Sequence, residues 1–170
     1  PSEGGEARPL VIRSPLQGEP RVQLTQGLHR SARMHPHGMA TIDGERRRTW
    51  SQVAEDVAHL AALLRSLGVG TGDRVAVLAT NSDQYFDLYF ATFWAGAVIV
   101  PLNTRLTAPE LVFQLDDVGA ALLLTGDAFA TQAEAIATQL PGLKIEPMDE
   151  AGGGLRRRAA ALAPIEDAGR

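Results

Sequence analysis

The clearest pattern in the chain is a stripe of apolar residues with the spacing of an amphipathic helix. Its members follow one another at intervals of three and four: Val53, Val57, Leu60, Leu64 and Leu67. Thr49 and Gln52, which lie just before the stripe, match a capping box. Gly68 follows the stripe and is suited to end a helix. The pattern therefore predicts a helix between Thr49 and Gly68.

A shorter set of elements precedes this helix. The apolar spacing of residues 24–32 permits a short helix, and residues 39–42 alternate as a strand does. Asp43 and Gly44 can form a two-residue hairpin turn, so Arg46, Arg47 and Arg48 would lie on the returning strand. The sequence thus predicts a small β-hairpin between two helices.

After Gly68, apolar runs alternate with helical patterns. The runs predict buried strands at 75–79, 98–100 and 121–125 and an edge strand at 143–145, and the intervening patterns predict helices at about 82–95, 107–119 and 129–140. Strands and helices that alternate at these lengths imply right-handed crossovers and a parallel sheet. We therefore expect an α/β fold in which flanking helices cover a parallel sheet.

Changes in composition divide the chain into three parts. Residues 1–20 mix glycines, prolines and charges without a period and predict a flexible leader. Residues 21–147 carry the α/β pattern. Residues 148–170, with a glycine triplet at 152–154 and an arginine triplet at 156–158, predict a linker. We expect both arginine triplets of the chain, 46–48 and 156–158, to be solvated.

Composition narrows the classes of function. The chain has 170 residues, a formal net charge of −4 and no cysteine, so disulfides, thiolate-zinc sites and a cysteine nucleophile are excluded. The acidic balance argues against nucleic acid as a partner, and no apolar run is long enough for a membrane span, so we expect a cytoplasmic protein. Lys144 is the single lysine beside 15 arginines. Chemistry that needs a lysine therefore has one place to find it.

Most candidate sites have a simple structural interpretation. The glycine-rich run 68–73 follows a helix and opens a strand, the reverse of a phosphate-binding fingerprint. His35 and His37 provide only two metal ligands, so we expect no metal site. Asp83 and Asp87, four residues apart, are typical of a wet helix face.

Aromatic residues concentrate in one predicted helix. Six of the nine in the chain are Tyr85, Phe86, Tyr89, Phe90, Phe93 and Trp94. We interpret this helix as buried nearly all round against the sheet, with a surface for a ligand or partner as the alternative.

Several segments resemble the N-terminal part of the adenylate-forming superfamily, which includes acyl-CoA synthetases and aryl-CoA ligases. Residues 49–53, Thr-Trp-Ser-Gln-Val, are similar to the early motif L-T-Y-x-E-L. Residues 93–103 are similar to the second motif and retain Ala-Gly, Val-Pro and a closing Asn103. Residues 72–77 and 106–120 fit the same order, so the resemblance covers about 24–147. The Pro-Leu-Asn ending looks more like CoA ligases than amino-acid-activating modules.

The resemblance implies a two-step reaction for a parent enzyme. A carboxylate attacks ATP to give an acyl-adenylate and pyrophosphate, and the thiol of CoA then displaces AMP. ATP, Mg²⁺ and CoA are the implied cofactors, and a fatty or aryl acid is the implied substrate. The resemblance also suggests that Arg105, just after Asn103, approaches the CoA nucleotide; its alternative interpretation is a loop arginine paired with a neighbour.

The family's phosphate loop and its catalytic lysine do not occur in this sequence. The residues around Lys144 resemble neither the phosphate loop nor the segment of the catalytic lysine. We therefore expect no catalytic residue here and interpret the chain as an N-terminal fragment that is inactive alone and whose partner is the remainder of the ligase. Residues 148–170 would then be a linker toward the missing phosphate-loop region. A freestanding α/β binding module is the alternative. A third hypothesis is a homodimer formed through the aromatic helix or an exposed sheet edge.

Overall fold

The computed structural model describes residues 23–149 and 154–169. The helices are α1 Gln26–Met34, α2 Trp50–Ser66, α3 Asp83–Trp94, α4 Ala108–Asp117, α5 Ala130–Gln139 and α6 Gly154–Ala160. The strands are β1 Met39–Asp43, β2 Arg46–Thr49, β3 Arg74–Leu78, β4 Val98–Pro101, β5 Ala120–Thr125 and β6 Lys144–Pro147. The predicted leader, residues 1–20, and two of the three glycines at 152–154 lie outside the described residues.

Four of the strands form one sheet in the order β4-β3-β5-β6, and every neighbouring pair is parallel. The α/β fold and the edge position of β6 are therefore confirmed. Apolar side chains of β3 and β5 alternate between the two faces, because successive residues of a strand point to opposite sides. Val75, Val77, Leu122 and Leu124 pack with α2 and α3 on one face, and Ala76, Leu78 and Leu123 pack under α4 and α5 on the other.

The predicted hairpin is present, with its turn displaced by one residue. β1 and β2 are antiparallel and Asp43 pairs with Arg46, so the two loop residues are Gly44 and Glu45. Gly44 has φ 58°, in the left-handed region that glycine adopts at low cost. The capping box that opens α2 is also present, since Gln52 N donates to Thr49 Oγ1 and Thr49 N donates to Gln52 Oε1.

The described end of the chain packs on the α/β core. We call residues 154–169 the strap. Leu155 and Ala159 of α6 are 1% exposed and belong to the core beside α2. Backbone bonds join Ile165 N to Ala58 O at 3.4 Å and Ala168 N to Trp94 O at 2.9 Å. The predicted linker thus forms a helix and an ordered extension here; its role as a connection toward a phosphate loop stays a prediction.

Helix α3 is buried on one face only, and that face carries two aspartates. Its buried face carries Asp83, Gln84, Asp87, Leu88, Ala91, Thr92 and Trp94. Of its aromatic residues only Trp94 is buried, while Tyr85, Phe86, Phe90 and Phe93 are half-buried and Tyr89 is 39% exposed. The prediction that α3 is buried nearly all round is therefore wrong, and so is the prediction that Asp83 and Asp87 lie on a wet face.

Candidate functional site

The carboxyl edge of the sheet has the geometry at which parallel sheets bind ligands. From β3 the chain passes to α3 on one face, and from β5 it passes to α5 on the other face. Loops that leave two adjacent strands in opposite directions open a crevice between them. Thr80 and Asn81 are exposed here, and Ser82 Oγ accepts a hydrogen bond of 3.1 Å from Tyr85 N to cap α3.

Arg105 follows β4 at the same edge. Its backbone N donates to Asn103 Oδ1 at 3.0 Å, which fixes the turn before α4. The Arg105 side chain is exposed and, among residues 23–149 and 154–169, its guanidinium has no ion pair or hydrogen bond. The described structure therefore does not support the alternative of a loop arginine paired with a neighbour.

An apolar groove begins at the residue after Arg105. It has a volume of about 400 Å³ and is lined by Leu106, Pro109, Glu110, Phe113 and Gln114. Phe113 is 71% exposed, an unusual position for a large aromatic side chain. Arg105 is exposed and precedes Leu106 in sequence, and an exposed arginine together with an apolar, aromatic surface suits a ligand that combines a phosphate with a planar ring.

A cluster of charges, buried at Arg48, Asp83 and Asp87, lies where β2, α2, α3 and the strap meet. The Arg48 guanidinium binds Asp87 through two bonds, Nη1–Oδ2 at 2.7 Å and Nη2–Oδ1 at 2.8 Å, and Nη1 also donates to Asp56 Oδ2 at 2.7 Å. Arg156 of α6 reaches the same helix, with Nε 2.8 Å from Asp87 Oδ2 and Nη1 3.1 Å from Asp83 Oδ1. Arg46 completes the set through Asp83, at 3.0 Å. We call these six residues the arginine–aspartate cluster.

The formal charges of this cluster cancel, because it has three arginines and three aspartates. Burial alone would raise the pKa of Asp83, but the charges of Arg156, Arg48 and Arg46 outweigh it and hold that pKa below its ordinary value. For Asp87, which is fully buried, burial raises the pKa against the opposing effect of Arg48 and Arg156. The prediction that both arginine triplets are solvated is therefore wrong for Arg48 and Arg156.

A second polar contact holds the far end of the strap. His29 Nε2 lies 2.7 Å from Asp167 Oδ2, and the Asp167 side chain is 1% exposed. Trp94 Nε1 donates to Ile165 O at 2.8 Å, and the rings of His29 and Trp94 lie 4.5 Å apart. Sequence spacing could not reveal this contact, since His29 and Asp167 are 138 residues apart.

The remaining candidates have structural roles or none. Lys144 Nζ donates to Leu67 O at 3.0 Å, just beyond the end of α2. In the glycine-rich run, Gly70 N donates to Asp73 Oδ2 at 2.7 Å, so the carboxylate closes a turn between α2 and β3. His35 and His37 are exposed between α1 and β1. Within the part of the chain that the structure describes, no three His, Cys, Asp or Glu residues are grouped so that they could hold a metal ion.

Comparisons with known proteins identify the family of this chain. The family described as "AMP-binding enzyme" matches residues 28–157, more than half of the chain. The chain therefore belongs to the AMP-binding enzyme family. It is 40% identical over 125 residues to a feruloyl-CoA synthase of Amycolatopsis, a match that covers 71% of this chain and 26% of that protein. The chain thus spans about a quarter of the length of this curated relative.

Solved structures show the same fold. The N-terminal domain of FACL13 from Mycobacterium tuberculosis superposes with a TM-score of 0.75 at 31% identity, covering 83% of this chain and 36% of that one. The O-succinylbenzoate coenzyme A synthetase of Bacillus subtilis, in complex with ATP and magnesium ion, superposes with a TM-score of 0.69 at 27% identity, covering 82% and 35%. These matches favour part of a ligase over a freestanding binding module. Among the described residues no helix is long and apolar enough to cross a bilayer.

Proposed function

We propose that this chain is the N-terminal part of an ATP-dependent acyl-CoA synthetase, which converts a carboxylic acid to an acyl-adenylate and then to a CoA thioester. The observation that carries the proposal is the α3–β4–α4 segment. Its motif-like residues 93–103 end at Asn103, whose side chain accepts from the backbone of Arg105, an exposed arginine that has no ion pair among the described residues. The family match and the CoA ligases among the relatives support the same activity.

Within the described structure, the residues of this chain do not fit an ATP–Mg²⁺ site. Asp83, Asp87 and Asp56 are bound to arginines, and Lys144 is bound to a backbone carbonyl. We therefore assign no catalytic residue to this chain, and the adenylation step belongs to the remainder of the ligase. A fatty or aryl acid as substrate and a cytoplasmic location stay predictions.

Arg105 is the residue that fits a cofactor. We propose that its guanidinium binds a phosphate of the CoA nucleotide and that the groove along Phe113 accommodates the adenine ring. The support for this assignment is the exposed side chain of Arg105, the residue before Leu106, which is the first lining residue of the apolar groove. The role is in binding CoA and does not touch the reacting carboxylate.

The two half-reactions provide the test. The complete protein should catalyse carboxylate-dependent exchange of pyrophosphate into ATP, and the 170-residue chain alone should show none. In the complete protein, Arg105→Ala should raise the KM for CoA about tenfold or more, because a charge-assisted contact to phosphate is lost, and should leave pyrophosphate exchange unchanged. Arg47→Ala, which removes an exposed arginine of the hairpin, is the matched control.

Two results would overturn parts of this proposal. A complete protein that lacks carboxylate-dependent exchange is not an acyl-CoA synthetase, and the binding-module hypothesis then stands. An unchanged KM for CoA in Arg105→Ala removes the role of Arg105 and leaves the ligase assignment intact.

The homodimer through the aromatic face of α3 also stays a prediction, and light scattering that shows a monomer at high protein concentration would contradict it.

A further inference from the structure

The strap contacts the core along its length, with His59 Nδ1 lying 2.8 Å from Leu162 O near its middle, and charged side chains hold it near each end. Near its start, Arg156 enters the arginine–aspartate cluster and contacts Asp83 and Asp87. Near its end, Asp167 contacts His29 and the backbone of Ile165 accepts from Trp94. Asp83 and Trp94 are the first and last residues of α3, so the strap contacts both ends of this helix, and between them it is bound by Ala58 and His59 of α2.

The two attachments differ from the contacts that hold the sheet. The sheet is joined by continuous ladders of backbone bonds, whereas the described residues show three backbone bonds from the strap to the rest of the chain, at Gly154, Ile165 and Ala168. Leu155 and Ala159 add apolar contacts with the α2 side of the core. A segment with few backbone bonds to its surroundings opens at lower free energy than a central strand does.

Arg156 is the one strap residue that enters the buried charge cluster, and its side chain is 16% exposed. Its neighbours in the triplet are different: Arg157 is 73% exposed beside Asp149, and Arg158 is 43% exposed beside Glu146. Without Arg156, the Asp83 and Asp87 carboxylates keep Arg46 and Arg48 as partners. Removing Arg156 therefore weakens the strap and leaves both carboxylates paired.

We infer that Arg156 is a positioning residue that anchors the strap, and that residues 154–169 dock on and release from α2 and α3 as one unit while the α/β core stays folded. Docking fixes the first turns of α3, which begin at the carboxyl edge of the sheet, because Asp83 and Asp87 are held from both sides. The inference concerns a conformational step of this chain and does not depend on the proposed ligase activity.

Native-state hydrogen exchange of the 170-residue chain tests the inference without any substitution. At low denaturant, the amides of the strap, including that of Ala168, should open together at a lower free energy than the amides of β3 and β5. If strap and sheet amides open only in one common global step, the strap is not a separate unit and the inference fails.

Variants then test the anchor. Arg156→Ala should accelerate exchange of the strap amides by about tenfold or more and leave the exchange of β3 and β5 unchanged, because only strap contacts lose their charge-assisted bonds. Arg157→Ala should leave both sets unchanged, and Arg156→Lys, which keeps the charge and loses the planar fork, should restore part of the protection. If the strap amides of Arg156→Ala exchange as in the wild type, or if exchange of the sheet amides accelerates equally, Arg156 does not anchor the strap.

Trp94 gives an independent optical signal. It is 7% exposed and bonded to Ile165 O, so release of the strap exposes its indole to water. In a Trp50→Phe background, the emission of Trp94 should shift to longer wavelength at a lower urea concentration in Arg156→Ala than in Arg157→Ala, before the sheet unfolds. Equal urea midpoints of this shift in the two variants would contradict the anchor.

Discussion

Arg48 of β2 and Asp87 of α3 form a two-bond ion pair, although 39 residues separate them along the chain. Both side chains are shielded from water, with 9% and 0% of the side-chain surface exposed. Buried charges are costly unless they are paired, so the pair fixes the hairpin to α3. The helix turns its charged face inward because arginines from β2 and from the strap meet it there.

The first prediction concerns Arg48. Arg48→Ala should lower the free energy of unfolding by about 3 to 5 kcal/mol, because Asp87 stays buried with only Arg156 as its charged partner. Urea unfolding followed by circular dichroism measures this change. Arg47→Ala, on the exposed neighbour, should stay within about 0.5 kcal/mol of the wild type. A loss below about 1 kcal/mol in Arg48→Ala would show that the pair does not stabilise the fold.

The second prediction concerns the pH dependence that Asp83 introduces. Its pKa is held below the ordinary value of about 3.9, so between these two values the unfolded chain binds more protons than the folded one. The stabilisation by Asp83 is therefore complete at neutral pH and is lost as the pH falls below about 4. The advantage of the wild type over Asp83→Asn should shrink in that range, as measured by urea unfolding from about pH 7 to about pH 3.

The matched control for Asp83 is Asp117→Asn, a change at an exposed aspartate in the last turn of α4. This variant should stay within about 0.5 kcal/mol of the wild type at neutral pH. If Asp83→Asn unfolds with the same free energy as the wild type at neutral pH, the ion pairs of Asp83 do not stabilise the protein.

The sequence was sufficient for the elements whose signals are local. The capping box at Thr49 and the apolar stripe of α2 lie within one helix, and the buried strands β3 and β5 are continuous apolar runs. The order of the elements then predicts the parallel sheet. Arg105 was named through the resemblance of the preceding residues to a family motif, and its role in binding CoA stays a prediction.

The arginine–aspartate cluster was not predictable in the same way. Asp83 and Asp87 are four residues apart, which is equally typical of a solvated face. Their partners Arg48 and Arg156 lie 39 and 69 residues from Asp87, and no periodicity connects them. Two features of the sequence indicated the cluster only indirectly. Aromatic residues occupy the side of α3 opposite the aspartates, and both arginine triplets lie outside regular apolar patterns.

The third prediction concerns Gly119, the residue after α4. It has φ 58°, and a methyl group there would lie 2.9 Å from Arg74 Nη2. Arg74 cannot move away freely, since its guanidinium donates to Val118 O at 2.8 Å and to Gly119 O at 2.6 Å. Gly119→Ala should therefore destabilise the chain by about 1 kcal/mol or more, measured as a lower midpoint of thermal unfolding.

Gly27 supplies the matched control for Gly119. It lies inside α1 with open space around it and without a positive φ. Gly27→Ala should stabilise the chain by about 0.5 to 1 kcal/mol, because alanine loses less backbone entropy in a helix. Equal effects of the two substitutions would show that backbone conformation at Gly119 does not matter.

The last prediction concerns Lys144, the single lysine of the chain. Its ammonium group donates to Leu67 O at the end of α2, where the helix dipole favours a positive charge, and the contact is exposed. Lys144→Met should therefore cost less than about 1 kcal/mol, and Lys144→Arg, which keeps the charge, should cost less still. In the complete protein, Lys144→Met should also leave carboxylate-dependent pyrophosphate exchange unchanged, because a lysine that binds a carbonyl after α2 lies beside the opposite, amino edge of the sheet. If a folded Lys144→Met protein lost that exchange, Lys144 would take part in adenylation, and the assignment of the adenylation step to the rest of the ligase would be wrong.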